Sequence, residues 1–414
     1  MINKTRLRTA LALAAAAAST QAMANGVAVN EQSASGMGTG FAGRSSSAQD
    51  ASTVFGNPAG MSKIERTQIS GGFAVIDAST DISSVQSPAT GTNDGDMVPF
   101  TAIPFGYYVK PLSDNWHFGL GVYVPFGVIS DYENSFQGRY HGLESEVQVV
   151  TVQPTISYRI NERVSVGFGP TINRIEGTLT RAVAASPLND SYVDIEGDDV
   201  GYGFNVGVLA DLTDSLALGL TYHSKVDYTL EGDTQVSDFP IPVNGTYDAT
   251  LDVTTPESID LSLTYAHNEY WTLYAGATWT RWSQFDQLVI ENPSAPGRFG
   301  NIEEDLNWSD TVAYALGAAY QITPSVVLRT GVAFDRSPTN DADRTVRIPV
   351  SDRTVLSLGA GWEATDNLTL DVAYAYLHED EGSVSYSGSD TSPAYTADYR
   401  NSAHGLSAQA TYSY

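Results

Sequence analysis

Apolar side chains recur at every second position through most of this 414-residue chain. Trp116, Phe118, Leu120, Val122, Val124, Phe126 and Val128 share one face of one segment, and Leu368, Leu370, Val372, Tyr374 and Tyr376 share one face of another. The chain ends in the same pattern, with Leu406, Ala408, Ala410, Tyr412 and Tyr414 pointing one way. The opposite faces carry Gly, Ala, Ser, Thr and some charge. Period-two alternation predicts strands with one apolar side, and ~9–11 tilted residues suffice to cross a bilayer. A soluble β-sandwich would alternate too. Trp116, Trp271, Trp279, Trp282, Tyr412 and Tyr414 stand near strand ends, which suits the interfacial girdles of a membrane barrel.

The connections come in two sizes that alternate along the chain. Short ones fall at residues 159–163, 211–214, 267–269, 322–324 and 365–367. Long ones fall at 79–98, 130–146, 182–200, 231–245, 287–306, 337–353 and 379–401. Short periplasmic turns and long extracellular loops alternate in this way in outer-membrane barrels. Seven long loops predict fourteen antiparallel strands, provided the stretch 247–265 is one strand interrupted at Pro256. Residues 25–65 lack sustained alternation and are rich in Gly, Ser and Ala. They are long enough to fold back and plug a lumen, with a periplasmic tail as the other reading. The expected organisation is a signal peptide (1–24), a hatch (25–65) and an all-β transmembrane barrel (66–414).

Composition narrows the function. Lys4, Arg6 and Arg8 precede the short apolar run 11–18, and Ala22-Met23-Ala24 is an A-x-A cleavage site, so the chain reads as exported. There is no cysteine, which removes disulfides, thiolate metal sites and cysteine nucleophiles. The formal charge is −27, and loss of Lys4, Arg6 and Arg8 takes it to −30, which argues against nucleic-acid binding. Mean hydropathy is only −0.16, since alternation averages the apolar content away. The six histidines are scattered, and no G-x-S-x-G, H-E-x-x-H or P-loop is present, so neither an enzyme nor a cofactor is expected. His223 and Ser224 are adjacent, but neighbours on a strand face opposite ways.

Several motifs together resemble the FadL-type transporters of Gram-negative outer membranes, a family that includes aromatic-hydrocarbon importers. They begin with Asn30-Glu31-Gln-Ser33-Ala-Ser35-Gly36-Met-Gly38, Asp50-Ala51 and Asn57-Pro58-Ala59. Further along come Thr255-Pro256-Glu257, Trp282-Ser283-Gln284-Phe285, Ala315-Leu316-Gly317, the run Arg329 to Pro338, Ile348-Pro349 and Asp352-Arg353. Order and spacing hold across the mature chain. The resemblance implies a fourteen-stranded barrel in the outer membrane, an N-terminal hatch carrying Asn57, Pro58 and Ala59, and a single chain acting alone. It also implies passive uptake of long-chain fatty acids or similar hydrophobic compounds. Ligand would leave sideways into membrane lipid through a gap at a kinked third strand.

The third strand has a physical counterpart of that kink in Gly119, Gly121, Pro125, Phe126 and Gly127. Proline removes a ladder donor and glycine permits bulges. Two readings stay open: the kink lies at Pro125-Phe126-Gly127, or these end the strand and the glycines kink it. A bound carboxylate needs a partner, for which the resemblance points to Arg181, with a solvated arginine at a loop mouth as the other reading. Arg329 is a second ligand candidate, and pairing with Asp335 or another lumen acid is its alternative. The loop 182–200 is short for this family, so Phe239 and Ile241 of the next loop are further candidates for apolar contacts. Acidic loop clusters such as Glu379-Asp-Glu381 read as a solvated rim, with a surface calcium or a lipopolysaccharide-bridging cation as the other reading. An aromatic-hydrocarbon importer and a general aqueous porin are the alternatives in function. The plug argues against the porin.

Overall fold

The computed structural model describes residues 26–185, 189–240 and 242–414. The signal peptide with its cleavage site, Pro187, Leu188 and Ile241 lie outside the described residues. Alternating segments become nineteen strands: β1 (Gln68–Gln86), β2 (Thr101–Pro111), β3 (Trp116–Asp131), β4 (Glu144–Arg159), β5 (Val164–Val183), β6 (Ser191–Asp211), β7 (Leu216–His223), β8 (Val226–Ser237), β9 (Gly245–Thr255) and β10 (Ser258–Ala266). The series continues with β11 (Trp271–Thr280), β12 (Gln287–Glu291), β13 (Asn301–Asp305), β14 (Thr311–Thr323), β15 (Val326–Asp335), β16 (Arg353–Thr365), β17 (Leu368–Glu379), β18 (Gly382–Tyr386) and β19 (Tyr395–Ser413). Five pairs run in line as single staves: β7/β8, β9/β10, β11/β12, β13/β14 and β17/β18. The wall therefore has fourteen antiparallel staves, closed where Gln68 of β1 meets Ser413 of β19. The interruption at Pro256 falls between β9 and β10, as the alternation predicts.

Closure of β1 on β19 removes the terminal edges of the sheet, as a bilayer requires. The apolar faces point outward, so Leu358 stays 61% exposed and Leu316 59%. Trp116 stacks on Tyr158 and Trp271 on Tyr320 at centroid separations of 4.6 and 4.7 Å, beside short turns, as a girdle should. Trp282 departs from the expected girdle. The chain leaves the ladder after Thr280, turns through a 3-10 helix at Trp282–Gln284, and buries the indole completely against Trp308 and Phe285.

The expected long loops are shorter than the sequence pattern suggests. β5 and β6 have 20 and 21 residues, about twice what a bilayer crossing takes. Their register runs unbroken from Val164↔Ala210 to Val183↔Ser191. Beyond the hydrocarbon the outward face no longer needs to be apolar, so the ladder continues with Glu and Asp on it and hides its strand character.

Residues 26–65 pack against the inner wall, where the small residues of the polar faces make room. A methyl group added to Gly219 would sit 1.8 Å from Ser45 O, and one on Gly207 1.9 Å from Asn57 Oδ1. Asn57 accepts a hydrogen bond from Ala59 N (2.9 Å), which caps the 3-10 helix Pro58–Lys63, and its Nδ2 donates to Ser45 O (2.6 Å) and Val208 O (3.0 Å). Ser165 Oγ donates to Ala59 O (3.0 Å). Ser45 N donates to Ser262 Oγ (2.8 Å), and Ala34 N to Gln409 Oε1 (3.1 Å).

The ladder between β2 and β3 is incomplete. β2 pairs with β3 only from Gly106↔Val122 down to Pro111↔His117. Above that level, Thr101–Phe105 bond only to β1, while β3 continues to Asp131 bonded to β4. Pro104 and Pro125, one on each facing edge, have no N–H to offer.

Candidate functional site

Pro125 lies within β3, so the strand does not end there. Between Tyr123↔Thr151 and Phe126↔Val149, β3 advances three residues while β4 advances two. This one-residue bulge at Val124–Pro125 reverses the alternation. Trp116, Phe118 and Leu120 are exposed outward, whereas Phe126 and Val128 point inward and line a cavity. The shared face expected for residues 116–128 therefore holds only as far as Val122. Gly119 and Gly121 are regularly paired on both sides, to Val109 and Thr155 and to Tyr107 and Gln153. Their role is close approach: a methyl on Gly119 would stand 2.4 Å from Met61 Sδ.

The free edge of β3 is covered from inside by the N-terminal segment. Val29 N donates to Pro125 O (2.8 Å), and Gly127 N donates to Val27 O (2.7 Å). The Gln32 side chain donates to Val124 O, and Tyr107 OH donates to Gln32 O (3.0 Å). A short extended segment thus adds itself to an open strand edge.

Two main cavities occupy the interior. The outer chamber has about 1040 Å³ of atom-free space, its mouth included, and is lined by such residues as Val149, Ile175, Leu230, Leu251, Leu288 and Phe126. Its charged lining is Glu196, Glu304 and Arg347. The inner lumen cavity, about 1610 Å³ on the same measure, is more mixed, with Phe41, Phe55 and Tyr123 beside Glu31, Arg44, Asp260, Asp335 and Arg353. It reaches Val29 and Pro125 at the wall break. Above the outer chamber, a vestibule is lined by Arg181 and Arg347 beside Glu303, Glu304 and Asp305, with His141 and Tyr386, and it shares Leu179, Ile195, Leu288 and Ile290 with the chamber. Arg347 therefore stands where vestibule and chamber join. Its Nε is 3.2 Å from Glu304 Oε2, and its Nη1 donates to Glu144 O (2.9 Å) and Ser145 Oγ (2.8 Å). Sequence reasoning missed Arg347, although it immediately precedes the Ile348-Pro349 match.

The other candidates are placed differently. Arg329 is buried in an ion pair with Asp371 (2.7 Å), while Asp335 pairs with Arg353 (2.7 Å). Phe239 is packed edge-on to Phe299 at 5.1 Å in an extracellular hairpin, and it lines neither main cavity. His141 lies in the loop between β3 and β4. It stacks on Tyr386 at 3.8 Å, and its Nε2 is 2.8 Å from Pro393 O. Burial, reinforced by Arg181 and Arg347, holds its imidazole down to about 4. Among the described residues, no three His, Asp or Glu side chains converge as a metal site.

Comparison with known proteins agrees with this architecture. Residues 15–414 match the family described as outer membrane protein transport protein (OMPP1/FadL/TodX). A long-chain fatty acid transport protein of Salmonella typhi is 30% identical over 402 residues, which is 90% of this chain and 91% of that one. The crystal structure of a Pseudomonas aeruginosa FadL homologue superposes with a TM-score of 0.83 at 25% identity, covering 94% of this chain and 99% of the other. The Pseudomonas putida toluene transporter TodX shares the fold, with a TM-score of 0.65 at 16% identity over 92% and 97% of the two chains. This chain belongs to the OMPP1/FadL/TodX family of outer-membrane transport proteins and is a fourteen-stave outer-membrane β-barrel.

Proposed function

We propose that this protein is a passive uptake channel for long-chain fatty acids or hydrocarbons of similar solvation, released sideways into the outer membrane. The observation that carries the reading is a pair of cavities that meet at Phe126 and Thr255, the inner of which reaches the β2/β3 wall break. Each buried CH₂ gains ~0.8 kcal/mol on leaving water. A ligand that moves from an apolar chamber to hydrocarbon through the wall never gives that back to the aqueous periplasm. Residues 25–65 act as a hatch: of these, residues 26–65 fill the lower lumen, and Val27–Gln32 stand in the opening on the β3 edge. Pro125 and the bulge, rather than Gly119 or Gly121, make the lateral gate.

A fatty acid is favoured over a neutral hydrocarbon by the two guanidinium groups at the entrance. Arg347 and Arg181 can meet a carboxylate at the vestibule, as a buried charge requires, while the tail lies in the chamber. One chain suffices for this conduit, since β1 closes on β19, so the working unit is a monomer. The test is uptake of labelled oleate and toluene by cells that lack their own transporter. Oleate uptake should depend on the protein and fall at least about tenfold in Arg347→Ala, with toluene uptake unchanged. Ion conductance without uptake of either compound would leave an aqueous porin instead.

A further inference from the structure

The outer chamber and the inner cavity share only two lining residues among those described, Phe126 and Thr255. Phe126 stands there because of the bulge, and its position is fixed on two sides. Its backbone forms a β-bridge with Ala28. Its ring meets Trp282 edge-on, with centroids 6.5 Å apart and planes at 88°, and Trp282 is itself wedged against Trp308 at 5.2 Å. Thr255 is the last residue of β9, is 4% exposed, and is held by the break at Pro256. The passage is therefore bounded by a ring with little room to turn and by a buried threonine. Arg347 lies at the vestibule end of the chamber and Phe126 at the lumen end.

We propose that Phe126 is a specificity-determining residue: set against Thr255, its ring fixes the girth of ligand that passes from the outer chamber to the wall break. A linear chain held by its head at Arg347 threads this constriction tail first, and a fused-ring hydrocarbon is retained in the chamber. This inference rests on the transport reading above. Packing against a rigid aromatic wall discriminates by shape, and a hydrophobic pocket commonly separates ligands by about tenfold or more on one added group.

The experiment compares Phe126→Ala, Phe126→Leu and Phe126→Trp with the unaltered protein, using uptake of oleate and of phenanthrene above the rate of cells without the channel. Barrel assembly is checked by heat-modifiable migration. Phe126→Ala should raise the phenanthrene-to-oleate ratio about tenfold, and Phe126→Trp should lower it while oleate still enters. If Phe126→Ala does not assemble, the Leu and Trp variants decide between the same two outcomes. An unchanged ratio with oleate uptake retained overturns the filter and leaves the channel intact. Absence of oleate and phenanthrene uptake in the unaltered protein overturns both.

Discussion

Arg329 and Asp371 show how fully committed a buried charge in this wall is. Their side chains are 8% and 3% exposed and 2.7 Å apart, and unlike Arg347 neither lines a cavity described above, so neither is placed to meet a ligand. Removing one member leaves the other buried without its partner. Arg329→Met is expected to destabilise the barrel by about 3–5 kcal/mol, read as a lower temperature of heat-modifiable unfolding. Arg329→Met combined with Asp371→Leu should recover much of that loss; a double variant as weak as the single one would refute the pairing argument. The alternation along β15 places Arg329 on the inner face, but it does not say which acid stands beside it. That depends on register. Asp335 faces Arg353 directly across β15 and β16, while Asp371 comes from β17, opposite Gly361. The same limit hid Arg347, whose partner Glu304 is 43 residues away in the chain and lies on another stave. Asn57 stands out in the sequence through the Asn57-Pro58-Ala59 resemblance; its cap on Ala59 N is local, but its donation to Val208 O on the wall is not readable from sequence. Asn57→Ala removes a cap and two donations to carbonyls, and about 1–2 kcal/mol of local stability should go with them. Faster protease cleavage within residues 26–65 would report that loss, and an unchanged rate would count against it.

At the scale of elements, the bulge in β3 decides which way the strand's upper half looks. Deleting Pro125 should remove the extra residue, leave Phe126 opposite Val149 on the inner face, and let β3 pair with β2 further up. Assembly should survive and oleate uptake should fall to background; full uptake by the deletion variant would show that the bulge is not the gate. The bulge is faintly legible in sequence, since Pro125 marks it, but its one-residue size appears only when β4 is laid beside β3. The loop between β3 and β4 carries a pH dependence. The folded loop keeps His141 neutral down to about 4, whereas an unfolded loop takes up a proton near 6.5. Between those values the open form binds more protons, so closure weakens as pH falls through that window and is fully present above it. Protection factors across residues 132–143, taken relative to intrinsic exchange at each pH, should fall from pH 7 to pH 4.5. His141→Phe, which keeps a ring against Tyr386, should flatten that dependence, and a slope retained in the variant would assign it to another group.

For the whole molecule, the inner face of the barrel and the N-terminal segment are fitted to each other. Glycine at 167, 219 and 331 admits backbone that a single methyl group would displace. The sequence displays those small residues as the polar face of each strand, yet only their arrangement around a closed wall reveals what they enclose. Deleting residues 26–65 should therefore leave a barrel that assembles, because its ladders are independent of the segment, with an open and polar lower lumen. The unaltered protein should be nearly silent in a planar bilayer and the deletion should conduct. The sign of its selectivity follows from the wall. Asp260, Asp335, Asp371 and Glu379 are buried on the inner face along the height of the wall; Arg329 pairs with Asp371 and Arg353 with Asp335, which leaves Asp260 and Glu379 in excess. Once water enters, the uncompensated acids raise the local concentration of cations. In a potassium chloride gradient the reversal potential should take the cation-selective sign. Anion selectivity would mean that another ring of charge controls the pore, and equal conductance with and without the segment would remove its role as a plug.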